Sequence, residues 1–99
     1  MTLEKIISGC GVTAVEGTVR KEISAVCNDS KKAVPESLFI AVRGFASDGH
    51  SFIATAIEKG AAAIIFEDKE AAMTQLALCP GKDVTMIQVE SSKIGRAHV

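Results

Sequence analysis

The chain has 99 residues, of which 47% are hydrophobic and 23% charged, with 11 basic and 12 acidic side chains and a formal net charge of −1. That length holds one domain, which buries about 60 to 65% of its unfolded surface, and the composition excludes a disordered or low-complexity chain. The charges are mixed along the sequence with no basic run to track a phosphate backbone, so nucleic acid is excluded as a partner. No apolar stretch reaches the length of a membrane span, and the acid and base in Met1–Ile7 interrupt any signal-peptide core, so the expectation is a cytoplasmic chain with no membrane partner.

In chain order, Leu3, Ile6 and Ile7 recur at helical spacing before Gly9-Cys10-Gly11, which predicts a short opening helix with its apolar stripe on the core. Val12–Glu16 and Ile23–Cys27 are rich in β-branched residues and separated by Gly17 and charged residues, which predicts two strands joined by a turn. Pro35-Glu36-Ser37 signals a turn, and the continuous apolar run Leu38–Val42 after it predicts a strand covered on both faces at the centre of the sheet. Gly44 to Gly49 reads as a loop. Asp48 or Ser51 could cap the helix beyond it, in which Phe52, Ile53, Ala56 and Ile57 keep a period near 3.6 up to Lys59-Gly60. Ala61–Phe66 is a second fully apolar strand, so strand, helix and strand in succession predict a right-handed crossover with parallel neighbours. Glu70–Leu78 predicts a further helix and Val84–Val89 a last strand. The class is α/β: a mostly parallel or mixed sheet of about five short strands flanked by helices.

Three cysteines, Cys10, Cys27 and Cys79, are too few and too scattered for a disulfide framework or a zinc knuckle, and are read as reduced, mostly buried thiols. Asp29 ahead of Ser30 fits a turn that fixes a loop between two elements. His50 has no second His or Cys at a ligand spacing, which favours packing and hydrogen bonding at a helix start. Gly44, Gly49 and Gly60 form no dinucleotide fingerprint, and Met73 and Met86 fit core filling. No catalytic residue and no metal ligand is assigned to the chain.

Four stretches occur in an order and spacing that resemble the N-terminal domain of the Mur ligases, most closely of the MurE type. They are Asn28-Asp29-Ser30-Lys31, Ser37-Leu38-Phe39-Ile40-Ala41-Val42-Arg43-Gly44, Asp48-Gly49-His50, and Ala56-Ile57-Glu58-Lys59-Gly60-Ala61-Ala62-Ala63. The resemblance runs from about Leu3 to Ser92. It implies a domain that holds the uridine end of UDP-N-acetylmuramoyl-L-alanyl-D-glutamate for a monomeric, ATP-dependent amide ligase of peptidoglycan precursor synthesis. Matching position by position, it implies substrate contacts at Ser30, at Asn28 before it, and at Phe45, Ala46 and Ser47 after Gly44. Short hydroxyl and backbone donors beside an apolar wall, on loops at strand ends, suit a neutral base and sugar.

The chain departs from the family pattern in several places. Lys31 stands where the Asp-Ser-Arg motif has its guanidinium, which keeps the charge and loses the planar fork. Glu36 stands at the glycine of a Pro-Gly-Asp turn, where a positive φ would be strained, so a different turn type is expected. The Gly-Lys-Thr phosphate loop and the metal-binding residues of the family's central domain fall outside these 99 residues. ATP and Mg2+ are therefore implied for a full-length parent, and no cofactor is assigned to this chain. Residues 1–92 are expected to form the UDP-substrate domain. Residues 93–99, ending Ile94-Gly95-Arg96-Ala97-His98-Val99, read like a translated sequencing adapter, a non-native tail. The alternatives are a MurF-type N-terminal domain or a free-standing α/β interaction domain without a ligand.

Overall fold

Residues 2–9, 11–41, 49–81 and 83–89 are described by the structure, a computed structural model. The elements in chain order are α1 (Leu3–Ile7), β1 (Val12–Glu16), β2 (Ala25–Cys27), β3 (Ser37–Ala41), α2 (Ile53–Glu58), β4 (Ala63–Phe66), α3 (Lys69–Leu76) and β5 (Thr85–Val89), with 3-10 turns at Ser30–Lys32 and Gly49–Phe52. The strands form one mixed sheet in the order β1-β5-β4-β3-β2. β2, β3, β4 and β5 run parallel, in registers that set Leu38 beside Ala63 and Ile65 beside Ile87. Only β1 is antiparallel, on β5. The α/β reading and the parallel strand–helix–strand succession are both present.

The apolar strands have both faces covered, and the strand pleat sorts their side chains between two cores. Phe39, Ala41, Ile64, Phe66 and Met86 face α2 and α3, where Ile53, Ala56, Ile57 and Ala72 meet them. Leu38, Ala63, Ile65, Ile87 and Val89 face the other way, onto Leu3 and Ile7 of α1 and onto Ile23. Burying one such Leu, Ile or Phe side chain contributes about 1.5–3 kcal/mol, so these two layers hold the sheet between its helices. Met86 lies in the first core and Met73 packs against it, and Cys79 is buried there.

Two expectations about the sheet are corrected. β1 and β2 are not neighbours joined by a turn: they lie at opposite edges. The segment between them is a strap along the strand starts. Thr85 Oγ1 donates to Thr18 O at 2.6 Å, and Lys21 Nζ donates to the carbonyls of Ala62 and Asp83 at 3.0 Å each. Ser24 N donates to Glu36 O at 2.8 Å. Val19 and Ile23 pack into the α1 core, burial that a hairpin turn would forfeit. The strap also supplies α1, which has no side-chain cap, with acceptors for its first amides: Leu3 N donates to Lys21 O and Glu4 N to Val19 O. The second correction is that β4, not β3, is the central strand, with β3 between it and the edge strand β2.

The turn before β3 also differs from expectation. Glu36 adopts φ 64, and Ser37 N donates to Val34 O at 3.1 Å. With φ of Pro35 fixed by its ring, this is a type II turn with a glutamate in the glycine position. Bonds on both sides impose it. Glu36 N donates to Gly60 O at 2.9 Å, Glu36 O accepts from Ser24 N, and Ser24 Oγ donates to Pro35 O at 2.9 Å. Gly60, at φ 106, lies so close that a Cβ there would come within 2.8 Å of Pro35 Cα.

Candidate functional site

β2 is short because the chain bends at Asn28 and Asp29 and enters the 3-10 turn Ser30–Lys32. Asp29 caps that turn: its Oδ1 accepts from Lys31 N at 2.9 Å, while Lys32 N donates to Asp29 O at 2.9 Å and Ala33 N to Ser30 O at 3.2 Å. The turn role read for Asp29 is therefore observed. It leaves the carboxylate engaged with backbone and the next side chain, Ser30, pressed inward.

Ser30 is only 7% exposed. Its hydroxyl has no hydrogen-bond partner among the described residues, and none of their fully buried side-chain polar atoms lacks one. The hydroxyl therefore keeps an opening to solvent and is free to pair with something outside the chain. Asn28 is exposed and lines an open groove of about 520 Å³ along β2, with Ala25, Val26, Cys27, Lys32 and Ile40. Val26, 52% exposed, and Ile40 give it an apolar wall, with the amide of Asn28 and the ammonium of Lys32 beside it. The family resemblance named Asn28 and Ser30 as contacts, and sequence reasoning did not single out Val26, Lys32 or Ile40. A strand pattern does not show that an edge strand leaves its own apolar residue uncovered.

Cys27, at the end of β2, is half-buried. Burial pushes its thiol above the ordinary cysteine range; hydrogen bonds with the Ser37 side chain and the Asp29 backbone pull it back, and the Asp29 carboxylate pushes it further up. The result is a protonated thiol at neutral pH, a weak nucleophile.

His50 is 1% exposed. Its Nε2 accepts from Glu67 N at 3.1 Å and from Asp68 N at 3.0 Å, at the junction of β4 and α3. The hydrogen-bonding role read for it at a helix start is observed, since the 3-10 turn Gly49–Phe52 runs straight into α2. Ser51 does not cap that helix: the N-cap position is Phe52, with no side-chain bond. Instead Gln75 of α3 reaches across, its Oε1 accepting from Ala54 N at 3.1 Å. No sequence signal pointed to Gln75. Lys31 is exposed, and its carbonyl accepts from Lys59 Nζ at 3.4 Å.

Of the five positions matched to substrate, Asn28 and Ser30 follow the end of β2, Asn28 in the lining of the groove and Ser30 outside it. Phe45, Ala46 and Ser47 lie outside the described residues, as do Asp48, Cys10 and the tail 93–99. Among the described residues no group of three or more His, Cys, Asp or Glu side chains could hold a metal ion, and no helix is long and apolar enough to cross a membrane.

The chain is similar to known proteins in sequence and in shape. It is 39% identical over 92 residues to the UDP-N-acetylmuramoyl-L-alanyl-D-glutamate–2,6-diaminopimelate ligase of Cytophaga hutchinsonii, covering 93% of this chain and 18% of that one. It is 38% identical over 99 residues to the ligase of the same name from Clostridioides difficile, covering 100% of this chain and 19% of that one. The chain thus spans about a fifth of the length of the curated relatives it matches. In shape it resembles MurF from Acinetobacter baumannii, with a TM-score of 0.57 at 21% identity over 76% of this chain and 14% of that chain, a likeness of fold alone. It also resembles the MurF ligase of Thermotoga maritima solved in complex with ADP, with a TM-score of 0.52 at 35% identity over 69% of this chain and 14% of that chain. A family model described as "Mur ligase family, catalytic domain" matches residues 22–96. The order of motifs, the α/β sheet and the 75-residue match agree, and the chain belongs to the Mur ligase family.

Proposed function

We propose that this chain is the nucleotide-holding domain of a MurE-type ligase and binds the uridine end of UDP-N-acetylmuramoyl-L-alanyl-D-glutamate at Ser30 and Asn28, with Phe45, Ala46 and Ser47 completing the site. The observation that carries the reading is the Ser30 hydroxyl, inside a residue 93% buried yet without a partner in the described chain. A polar group held in that way gains a hydrogen bond on ligand binding at little cost in side-chain freedom. The groove along β2 that Asn28 lines fits the chemistry of a base and sugar: an apolar wall from Val26 and Ile40 and an amide from Asn28, with Lys32 near enough to favour an anionic ligand. The names of the curated relatives favour the diaminopimelate-adding type over MurF.

On this reading the muramoyl and peptide parts of the substrate reach toward further domains of a longer parent. ATP and Mg2+ belong to that parent, which works in the cytoplasm as a monomer. This chain's own part is to bind and orient. With the remaining contacts missing, affinity for UDP is weak, about millimolar or somewhat tighter. Titrating UDP into isotopically labelled protein and following amide shifts tests the site. Shifts centred on Asn28, Ser30 and residues 45–47 are expected, and Ser30→Ala should weaken binding about two- to tenfold without unfolding the domain, the net worth of one neutral hydrogen bond. Shifts confined to residues remote from Ser30 would leave a shared fold without a shared ligand.

A further inference from the structure

We propose that His50 is a positioning residue for the nucleotide site, holding the Ser30 turn in place through α2; the inference rests on the uridine reading above. A ring whose only task was to fill core space would be replaceable by an aliphatic chain, because burying imidazole nitrogens costs free energy unless they are bonded. His50 is 1% exposed, and its Nε2 accepts two backbone amides at once, Glu67 N at 3.1 Å and Asp68 N at 3.0 Å. Accepting at Nε2 puts the ring proton on Nδ1 and fixes both the tautomer and the ring plane.

Those two amides leave β4, and the register Ala41↔Phe66 sets the ends of β3 and β4 side by side. The ring therefore ties the chain that returns from β3 at Gly49 to the chain that departs from β4. The residues after His50 carry that tie to the site. The turn Gly49–Phe52 continues into α2, and α2 packs on the turn Ser30–Lys32, with Ile53, Ala56 and Ile57 in the same core as Ala33. α2 has no side-chain cap of its own; Gln75 Oε1 accepts from Ala54 N, and Cys79 Sγ donates to Ala54 O at 3.6 Å. The start of α2 is thus located from the α3 side of the molecule, by His50 together with Gln75 and Cys79. A displaced α2 displaces the Ser30 hydroxyl behind it, and a hydrogen bond to ligand tolerates only a few tenths of an ångström.

The test compares the wild-type chain with His50→Gln, His50→Asn and His50→Ala, by UDP titration with amide shifts and by melting temperature. Gln presents an acceptor oxygen at about the reach of Nε2, Asn one only at the reach of Nδ1, and Ala none. Gln should keep UDP affinity within about twofold, whereas Asn and Ala should weaken it by up to about tenfold, the loss expected when the Ser30 hydroxyl no longer reaches the ligand. The ligand-free Asn and Ala proteins should also show displaced Ser30 and Lys31 amide signals that Gln restores. A role in stability alone would lower the melting temperature and leave the affinity of the folded Asn protein unchanged, and that result overturns the inference. If Ala does not fold, the Gln and Asn proteins decide. If UDP moves no signal in the wild-type chain, the uridine reading fails; the Ser30 and Lys31 signals of the ligand-free proteins then judge the coupling, which is overturned if Asn leaves them unmoved.

Discussion

Glu36 is the one non-glycine residue with positive φ among the described residues. A side chain in that region is strained by about 1–2 kcal/mol, against roughly 0.5–1 kcal/mol of extra backbone entropy that a glycine would lose on folding. Glu36→Gly should therefore stabilise the domain by about 0.5–1 kcal/mol, read as a higher denaturant midpoint at unchanged slope. A lower midpoint would mean that the glutamate side chain contributes more than its backbone costs. The neighbouring site at Cys27 carries a pH prediction. Its thiol proton is held more tightly in the folded chain than in the unfolded one, where the value is about 8.5. The stability this contributes is complete below about pH 8.5 and is lost as pH rises through the higher folded value. Denaturation of the wild-type chain and Cys27→Ala between about pH 7 and 10.5 should show the wild type losing more stability in the alkaline range. Parallel curves would sink the assignment, since Cys10 and Cys79 are common to both proteins.

At the scale of elements, α3 depends on a cap. Asp68 sits at its N-cap in extended conformation and its Oδ1 accepts from Ala71 N at 3.3 Å, while Ala72 is its only fully buried residue. With so little burial to hold it, losing the cap should be felt: Asp68→Ala is expected to cost about 1 kcal/mol, a fall in melting temperature of about 4–8 °C for a domain of this size. An unchanged melting temperature would show that packing alone fixes α3. The strands β3, β4 and β5 were legible because continuous apolar runs between turn residues have few other uses. The register and order of the sheet were not. Nothing local in Val12–Glu16 tells an edge strand from half of a hairpin, and the strap 17–24 is visible only once Val19 and Ile23 are seen to bury. The type II turn was misread for a related reason: strain at Glu36 is a local quantity, and the bonds from Ser24 and to Gly60 that outweigh it come from remote parts of the chain. In the site, the Asp29 turn followed from the residue types, whereas the burial of Ser30 and the meeting of Lys32 with Ile40 come only through the fold.

For the whole molecule, the sequence contains no Gly-rich loop ending in Gly-Lys-Thr or Gly-Lys-Ser to cradle a triphosphate. The purified chain should neither hydrolyse ATP nor form an amide, and ATP turnover that tracks the folded chain through successive columns in proportion to its amount would refute this. The position of β1 has a consequence for how the molecule is made. A growing chain makes Val12–Glu16 before the other four strands of the sheet, yet among the described residues its pairing partner is β5, the last of the five in sequence order. During synthesis β2, β3 and β4 can align as each appears, since each finds its partner in the next strand along. β1 must wait, an unpaired and largely exposed strand available to any other nascent chain, until β5 arrives to pair with it.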